Sequence, residues 1–259
     1  MYGHEGPSPR RSDNLTGAIG MTNNSALELS PAIASAILEG APLPAFDVTM
    51  TLDEAYGVQH DVLGLCAPEG LAGIKAGMTT RASQSFFGID KFLLGGIRPN
   101  TVQASGWAVP FRAGRLIECE VALRVNLEGR PIACAPALEL VSLNFARETD
   151  LNATNLLAAN LGAEFIVLGE FQLWKREFDN LATSLWHDGV SINSGKVQDA
   201  LGGPSVSAGI ICSEARVRRY DLAPAAILMT GACGQVVSAE KGRYEADFGA
   251  LGSVQLTIK

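Results

Sequence analysis

The stretch G-R-L-I-E-C-E-V-A-L-R-V, from Gly114 to Val125, predicts the strand around which the rest of the chain is arranged. Its apolar and β-branched residues favour an extended backbone. Side chains two positions apart on a strand point to the same face, so Glu118 and Glu120 are expected to lie side by side. Two carboxylates about 4 Å apart repel by roughly 1 to 4 kcal/mol, depending on the dielectric constant. The sequence leaves three explanations open: a solvated face, a protonated glutamate, or a cation between the two.

A third carboxylate follows in a second apolar run. Glu139 lies in A-P-A-L-E-L-V-S, which predicts another strand, entered through a turn at Gly129, Arg130 and Pro131. Three oxygen ligands from two strands suit Mg²⁺ or Mn²⁺, which prefer oxygen shells and keep waters that a substrate can displace. A zinc site is disfavoured, because Cys119 points to the opposite face and no Cys or His pair has zinc spacing.

Composition narrows the class of protein. The chain has 259 residues, of which 47% are hydrophobic and 18% charged, as is typical of a globular protein with a sizeable core. The net charge is −7, and the only basic cluster is R-V-R-R at 216–219, so we expect no nucleic-acid partner. We expect no membrane span either, because no apolar run is long enough. The five scattered cysteines suggest no disulfide framework, which favours a reducing, cytoplasmic compartment.

Six motifs, taken in order along the chain, resemble those of one known family. They are G-I-K-A-G-M-T-T at 73–80, F-F-G-I-D at 86–90, E-C-E at 118–120, P-A-L-E-L-V at 136–141, N-L-G-A-E-F-I-V-L-G at 160–169 and F-G-A-L-G-S-V at 248–254. The set is similar to the 2-keto-4-pentenoate hydratase / 4-oxalocrotonate decarboxylase family of the fumarylacetoacetate hydrolase-like superfamily. The resemblance implies an α+β fold, in which a rolled, barrel-like mixed β-sheet carries N-terminal helices.

The chain is predicted to divide into three parts, the first by its Gly-, Pro-, Ser-, Asn- and Arg-rich composition, the second by helical patterning and the third by this resemblance. Residues 1–24 are expected to be a disordered leader or tag, residues 25–72 an N-terminal helical region packed on the core, and residues 73–259 the fumarylacetoacetate hydrolase-like catalytic domain. Within the helical region, Ser30 is predicted to cap one helix and Thr51 the next. Further on, the stretch G-K-V-Q-D-A-L-G-G-P at 195–204 resembles the family's helix that stops at a Gly-Pro pair.

The resemblance assigns residues to a divalent-metal-dependent lyase, a hydratase that acts on a 2-oxo or 2-hydroxy-dienoic acid through a metal-stabilised enolate. The metal, Mg²⁺ or Mn²⁺, is assigned to Glu118, Glu120 and Glu139. Lys75 lies in an apolar strand, where a lysine either reaches the surface or is buried beside acids. The resemblance favours burial and gives Lys75 a role in neutralising substrate charge or in proton transfer.

Substrate binding is assigned by the same resemblance to Thr230 and Gly231, in a glycine-bracketed loop, and to Asn160. For Thr230, a hydroxyl that merely satisfies the backbone at the end of a strand is an equally good interpretation. The resemblance also implies a homo-oligomer.

Two departures from the hydratase pattern keep other activities open. Leu93 stands where the family has an aspartate expected to manage protons, and Asp90 is out of place to substitute for it. Ser142, Leu143 and Asn144 stand where the family often has an Asp-Ser-Arg segment. The alternatives are a 4-oxalocrotonate-type decarboxylase, a C–C hydrolase acting on another 2-oxo acid, and an accessory subunit on the same fold. His187 is predicted to be a structural turn residue, which weighs against the hydrolase.

Overall fold

The computed structural model describes residues 24–223 and 226–259. The predicted leader at residues 1–24 lies outside this part, apart from its last residue. The described part has six α-helices: α1 Asn24–Leu27, α2 Ser30–Glu39, α3 Leu52–Cys66, α4 Arg81–Phe87, α5 Ala153–Ala158 and α6 Pro204–Val217.

The described strands build two sheets. In chain order they are β1 Gly73–Gly77, β2 Leu93–Ile97, β3 Val102–Ala104, β4 Trp107–Val109, β5 Arg115–Val125, β6 Pro131–Ser142, β7 Ala163–Leu168, β8 Gln172–Leu173, β9 Ala182–His187, β10 Val190–Lys196, β11 Ile227–Met229, β12 Val237–Ser238, β13 Gly242–Asp247 and β14 Ser253–Ile258. The larger sheet has the order β2-β1-β11-β5-β6-β7-β3, with β12 added to β5 and β8 to β6. The smaller sheet has the order β10-β9-β13-β14-β4.

The larger sheet is mixed and curled into a half-barrel. Strands β1 and β11 run parallel, as do β3 and β7, whereas β5 pairs antiparallel with β6 and with β11. The predicted fold class, a rolled mixed sheet with N-terminal helices, is therefore confirmed. The long central pair β5–β6 carries the predicted E-x-E motif in the middle of the sheet.

A short turn joins β5 directly to β6 and sets their register. The side-chain oxygen of Asn126 accepts hydrogen bonds from the backbone N–H groups of Glu128 and Arg130, at 3.2 and 2.9 Å. Gly129 adopts a φ of 75°, a left-handed conformation that glycine tolerates without a steric penalty. Because the turn is compact, the two strands stay paired from Arg115 to Val125, and each side chain of β5 has a defined neighbour on β6.

The N-terminal helices share the core of the sheet. Thr51 and Glu54 form the predicted capping box at the start of α3, with Thr51 Oγ1 accepting from the Glu54 N–H at 3.2 Å. Further along α3, the Gln59 amide donates to the carbonyl oxygens of Leu94 in β2 and Leu157 in α5, at 2.9 and 3.0 Å. These buried bonds tie the helical region to the edge of the sheet that carries β1.

Two local predictions were wrong. Ser30 does not cap α2: Leu29 occupies the cap position without a side-chain hydrogen bond, and Pro in the first turn starts the helix. The stretch at 195–204 is not a helix, because β10 continues to Lys196 and a 3₁₀ turn follows at Val197–Asp199. The proline of this stretch instead begins α6. Within residues 24–223 and 226–259, the helices are too short or too polar to span a lipid bilayer.

Candidate metal centre

The register of the β5–β6 hairpin brings the three predicted carboxylates together. Glu118 lies directly opposite Glu139, and Glu120, two positions along β5, is on the same face. Each of the three offers one carboxylate oxygen, and these oxygens lie within 4.8 Å of one another. Glu120 and Glu139 are fully buried, and Glu118 is partly buried. The structure thus excludes the explanation that this face of the strand is open to solvent.

Within the described part of the chain, two of the buried carboxylate oxygens have no donor and could bind a cation. Neither Oε1 of Glu120 nor Oε2 of Glu139 has a hydrogen-bond partner among the described residues. A buried polar atom without a partner is costly, and a buried carboxylate oxygen is among the costliest. Carboxylate oxygens are the ligands that Mg²⁺ and Mn²⁺ prefer, so the residues fit either of the two predicted metals.

Lys75 lies beside this cluster and is buried, as the resemblance implied. Its Nζ lies 2.6 Å from Oε1 of Glu139 and donates to the carbonyl oxygen of Leu161 at 3.3 Å. When all three carboxylates are ionised, this one ammonium leaves an excess of two negative charges. A divalent cation would neutralise that excess.

Burial and mutual repulsion shift the proton affinities at this site. Burial, with the neighbouring Glu139, raises the pKa of Glu118 to about 7, although Lys75 acts in the opposite direction. Burial, with Glu139 and Glu118, also raises the pKa of Glu120 well above its usual range. For Lys75, burial alone would lower the pKa, but the three carboxylates outweigh it and raise the pKa. Lys75 therefore stays charged, while two glutamates hold protons more tightly than usual.

The predicted Thr-Gly loop lies behind the carboxylates. The backbone N–H of Gly231 donates to Oε2 of Glu120 at 2.9 Å. Gly231 has a φ of 100°, and a Cβ there would come within 2.4 Å of the Thr79 side chain, so this position requires glycine. Thr230 is fully buried and its Oγ1 has no hydrogen-bond partner among the described residues. The geometry shows that this loop orients Glu120.

Asn160, the third residue predicted to bind substrate, contacts strand β2. Its side-chain oxygen accepts from the N–H of Gly96 at 2.6 Å, and its amide donates to the carbonyl oxygen of Gly96 at 2.9 Å. Asn160 is buried and does not line the cavity described below. Its side-chain oxygen and one of its two amide hydrogens hold β2, and substrate binding by Asn160 stays a prediction.

A cavity of about 550 Å³ opens onto Glu118 and Lys75. Most of its wall is apolar, and sequence reasoning did not predict these residues. The apolar side chains that line it come from β1, α4, β5, β6, α5 and the loops beside them: Ala76, Met78, Ala82, Phe86, Phe87, Leu116, Val141, Leu143, Leu151, Leu156, Leu161, Ala232 and Val236. One signal was available in the sequence, since Leu116 and Val141 stand two positions from Glu118 and Glu139 on the same strands.

The two departures from the hydratase pattern differ in their place, because Leu143, at the second of them, lines the cavity. Leu93 is fully buried in β2, opposite Gly77, and Asp90 is exposed in the preceding bend. Neither lines the cavity. The histidines of the described part are also remote: Nε2 of His60 lies 2.8 Å from the carbonyl oxygen of Arg218, and His187 stacks on Tyr244 with ring centroids 4.4 Å apart. His187 thus has the structural role that its turn position predicted.

No protein-family model matches the chain, and no curated protein matches its sequence. Solved structures do match, and they show that the chain has the fumarylacetoacetate hydrolase-like fold. It is similar to 4-oxalocrotonate decarboxylase from Pseudomonas putida G7, complexed with magnesium and adipate, with a TM-score of 0.81 and 19% identity over 92% of this chain and 99% of that one.

Two further structures share the fold over a smaller part of the chain. Fumarylpyruvate hydrolase from Pseudomonas aeruginosa, in complex with Mn²⁺ and pyruvate, has a TM-score of 0.53 and 16% identity over 71% of this chain and 88% of that one. 5-carboxymethyl-2-hydroxymuconate delta-isomerase from Mycobacterium smegmatis has a TM-score of 0.54 and 13% identity over 73% and 79%. Together these matches confirm the predicted resemblance at the level of the fold.

Proposed function

We propose that this chain is a divalent-metal-dependent hydratase that acts on a 2-oxo or 2-hydroxy-dienoic acid. The observation that carries the proposal is the cluster of Glu118, Glu120 and Glu139, in which two glutamates have buried oxygens without donors among the described residues and the third, Glu118, lines a cavity large enough for a small acid. The similar decarboxylase was solved with magnesium and adipate, and the similar hydrolase with Mn²⁺ and pyruvate. The presence of a divalent metal and a small carboxylate in both complexes supports the same use of the cluster here.

The three glutamates would hold Mg²⁺ or Mn²⁺, which when bound supplies a Lewis acid that polarises the 2-oxo group and stabilises an enolate. The chain's own residues prepare this site. The Gly231 N–H keeps one oxygen of Glu120 in place, and Lys75 does the same for Glu139. Lys75 also lines the cavity, where its ammonium can neutralise the substrate's carboxylate or exchange a proton with the reacting carbon.

Decarboxylation is the second candidate. It is favoured by the buried Leu93, which provides no carboxyl group for proton management. Loss of CO₂ from the same enolate-forming substrate needs no added water. A C–C hydrolase is less well supported, because neither His60 nor His187 lines the cavity. An accessory subunit would bind the metal without turnover.

A substrate panel separates these activities. The purified protein is stripped of metal with EDTA, reloaded with Mg²⁺ or Mn²⁺, and offered 2-hydroxypenta-2,4-dienoate and 4-oxalocrotonate. We expect metal-dependent loss of the dienol absorbance, abolished in Glu120→Gln and retained in Glu128→Gln, an exposed glutamate at the tip of the same hairpin. Release of CO₂ without hydration would instead identify the decarboxylase. Metal binding with no turnover of either compound would contradict the proposal and favour the accessory subunit.

A further inference from the structure

We infer that the substrate of this site carries a bulky, uncharged, apolar tail, so that its only carboxylate is the one beside the 2-oxo group. The inference rests on the proposed function, because the metal end of the cavity fixes where the tail begins. It names the substrate class more narrowly, excluding a dicarboxylate as the preferred ligand. Four features of the cavity support it.

The first feature is the change in chemistry along the hairpin. Glu118 and Glu139 are opposite each other, and one step further along the same face the opposite pair is Leu116 and Val141. A step of two residues on a strand covers roughly 6.6 Å. A substrate whose acid end is held at the carboxylates therefore meets a hydrocarbon wall within a few carbon atoms. Leu143, which follows β6, continues that wall.

The second feature is the distribution of charge. Of the described residues that line the cavity, Lys75 is the only cation, and Glu139 already holds it at 2.6 Å. A second carboxylate at the far end of the substrate would lie among leucine and phenylalanine side chains without a cationic partner. Burying an unpaired carboxylate is strongly unfavourable, so a dicarboxylate would lose affinity relative to an uncharged analogue of equal length.

The third feature is the small number of free polar groups in the wall. The hydroxyl of Thr80 accepts from the Ser83 N–H at 3.2 Å, and the Ser83 hydroxyl donates to the Thr80 carbonyl oxygen at 2.8 Å. Both hydroxyls are therefore used at the start of α4. Thr79 and the exposed Gln235 are the remaining uncharged polar side chains of the lining. This set is too small to solvate a distal carboxylate.

The fourth feature is the size of the cavity and its rim. At roughly 30 Å³ for each water-sized group, the cavity of about 550 Å³ holds around twice what a five-carbon 2-oxo acid and a metal ion fill. Phe86, on α4, lines the cavity and is 75% exposed, in edge contact with Phe87. An apolar ligand would cover this phenylalanine and gain the hydrophobic stabilisation that the free protein lacks.

Three stable ligands with the same acid end test the inference by isothermal titration calorimetry on the Mg²⁺-loaded protein. They are 2-oxohexanoate, 2-oxohexanedioate and 2-oxo-4-phenylbutanoate. We expect the phenyl compound to bind most tightly, and the dicarboxylate at least about tenfold more weakly than 2-oxohexanoate. Equal or tighter binding of the dicarboxylate, still dependent on Mg²⁺, would overturn the inference and leave the proposed function standing. Binding that does not depend on Mg²⁺ for any ligand would reject the proposed function and, with it, the inference.

Substitutions connect the preference to the wall. Phe86→Ala, at an exposed position that folding does not require, should weaken the phenyl compound by roughly tenfold and leave 2-oxohexanoate within about twofold. Phe111→Ala, a 42% exposed phenylalanine away from the cavity, is the matched control and should change neither. Leu143→Arg should improve binding of the dicarboxylate, whereas the neutral Leu143→Gln should not. An unchanged ligand order in both Phe86→Ala and Leu143→Arg would contradict the assignment of the tail to this wall.

Discussion

Lys75 Nζ lies 2.6 Å from Oε1 of Glu139, and both side chains are buried at the centre of a cluster of three carboxylates. The pair joins β1 to β6, two strands that are not neighbours in the sheet. It therefore fixes the positions of a candidate metal ligand, Glu139, and of the Lys75 ammonium, which lines the cavity. The strength of this ion pair should be measurable in the free energy of unfolding as well as in activity.

Removing the cation of this pair should destabilise the metal-free protein. Lys75→Met leaves Glu139 buried without a partner, and breaking a buried ion pair in this way costs about 3–5 kcal/mol. The measurement is urea unfolding with and without Mg²⁺. The control is Lys175→Met, which removes an exposed lysine 3.8 Å from Glu177 and should cost at most about 1 kcal/mol. Equal losses in the free energy of unfolding would show that the Lys75–Glu139 pair stabilises the protein no more than an exposed ion pair does.

Metal binding should become tighter as the pH rises through 7. The pKa of Glu118 is raised to about 7 and that of Glu120 is raised well above its usual range, so metal binding must displace protons at lower pH. The folded protein without metal holds these protons more tightly than the unfolded chain does. As the pH rises from about 4.5, the pKa of Glu118 in the unfolded chain, to about 7, its pKa in the folded protein, the free energy of unfolding should therefore fall.

Calorimetric titration of Mg²⁺ at pH 6 and pH 8, in buffers of different ionisation enthalpy, measures both the affinity and the protons released. Glu118→Gln should release fewer protons than the wild type. An affinity that is the same at the two pH values, with no proton release, would contradict the raised pKa values.

A methyl group at Gly231 should weaken metal binding indirectly, by displacing the backbone N–H that holds Glu120. Gly231→Ala places a Cβ at a φ of 100° and within 2.4 Å of Thr79, a strain of about 1–3 kcal/mol. The displaced N–H would release Glu120, so weaker Mg²⁺ binding should accompany the loss of stability. Gly209→Ala is the control, because Gly209 lies in α6 with open space around it and alanine there should be neutral or stabilising by up to about 1 kcal/mol. Wild-type metal affinity in Gly231→Ala would show that this loop does not contribute to metal binding.

Asn160→Asp separates a structural role from substrate binding. The carboxylate keeps the hydrogen bond from the Gly96 N–H but cannot donate to the Gly96 carbonyl oxygen, which stays buried without a partner. The free energy of unfolding should fall by about 1–3 kcal/mol. The Kd for 2-oxohexanoate, measured at a temperature where the variant is folded, should stay within about twofold. A large loss of ligand affinity without loss of stability would support the predicted contact with substrate.

The predictions made from the sequence succeeded where the chain encodes its geometry locally. A strand has a period of two residues and the turn at Asn126 is compact, so Glu118, Glu120 and Glu139 had to share a face once both strands were recognised. The capping box of Thr51 and Glu54 depends on four consecutive residues and was equally accessible.

Contacts between distant segments of the chain could not be predicted from the sequence. The partner of Asn160 is Gly96, 64 positions away, and no local pattern announces that contact. The Gly231 loop acts through a backbone N–H, which every residue but proline carries and the sequence therefore does not mark. The apolar wall combines residues from three strands, two helices and their loops, so its chemistry emerged only from the tertiary arrangement.

Metal binding by the three glutamates is measured by calorimetric titration of Mg²⁺ and Mn²⁺ into the metal-free protein and into Glu118→Gln, Glu120→Gln and Glu128→Gln. We predict one divalent ion per chain in the wild type and in Glu128→Gln, the exposed control. The two site variants should lose more affinity than the roughly 10–100-fold that removal of an outer-shell partner costs. Unchanged binding in Glu118→Gln and Glu120→Gln would contradict the assignment of the metal to these carboxylates.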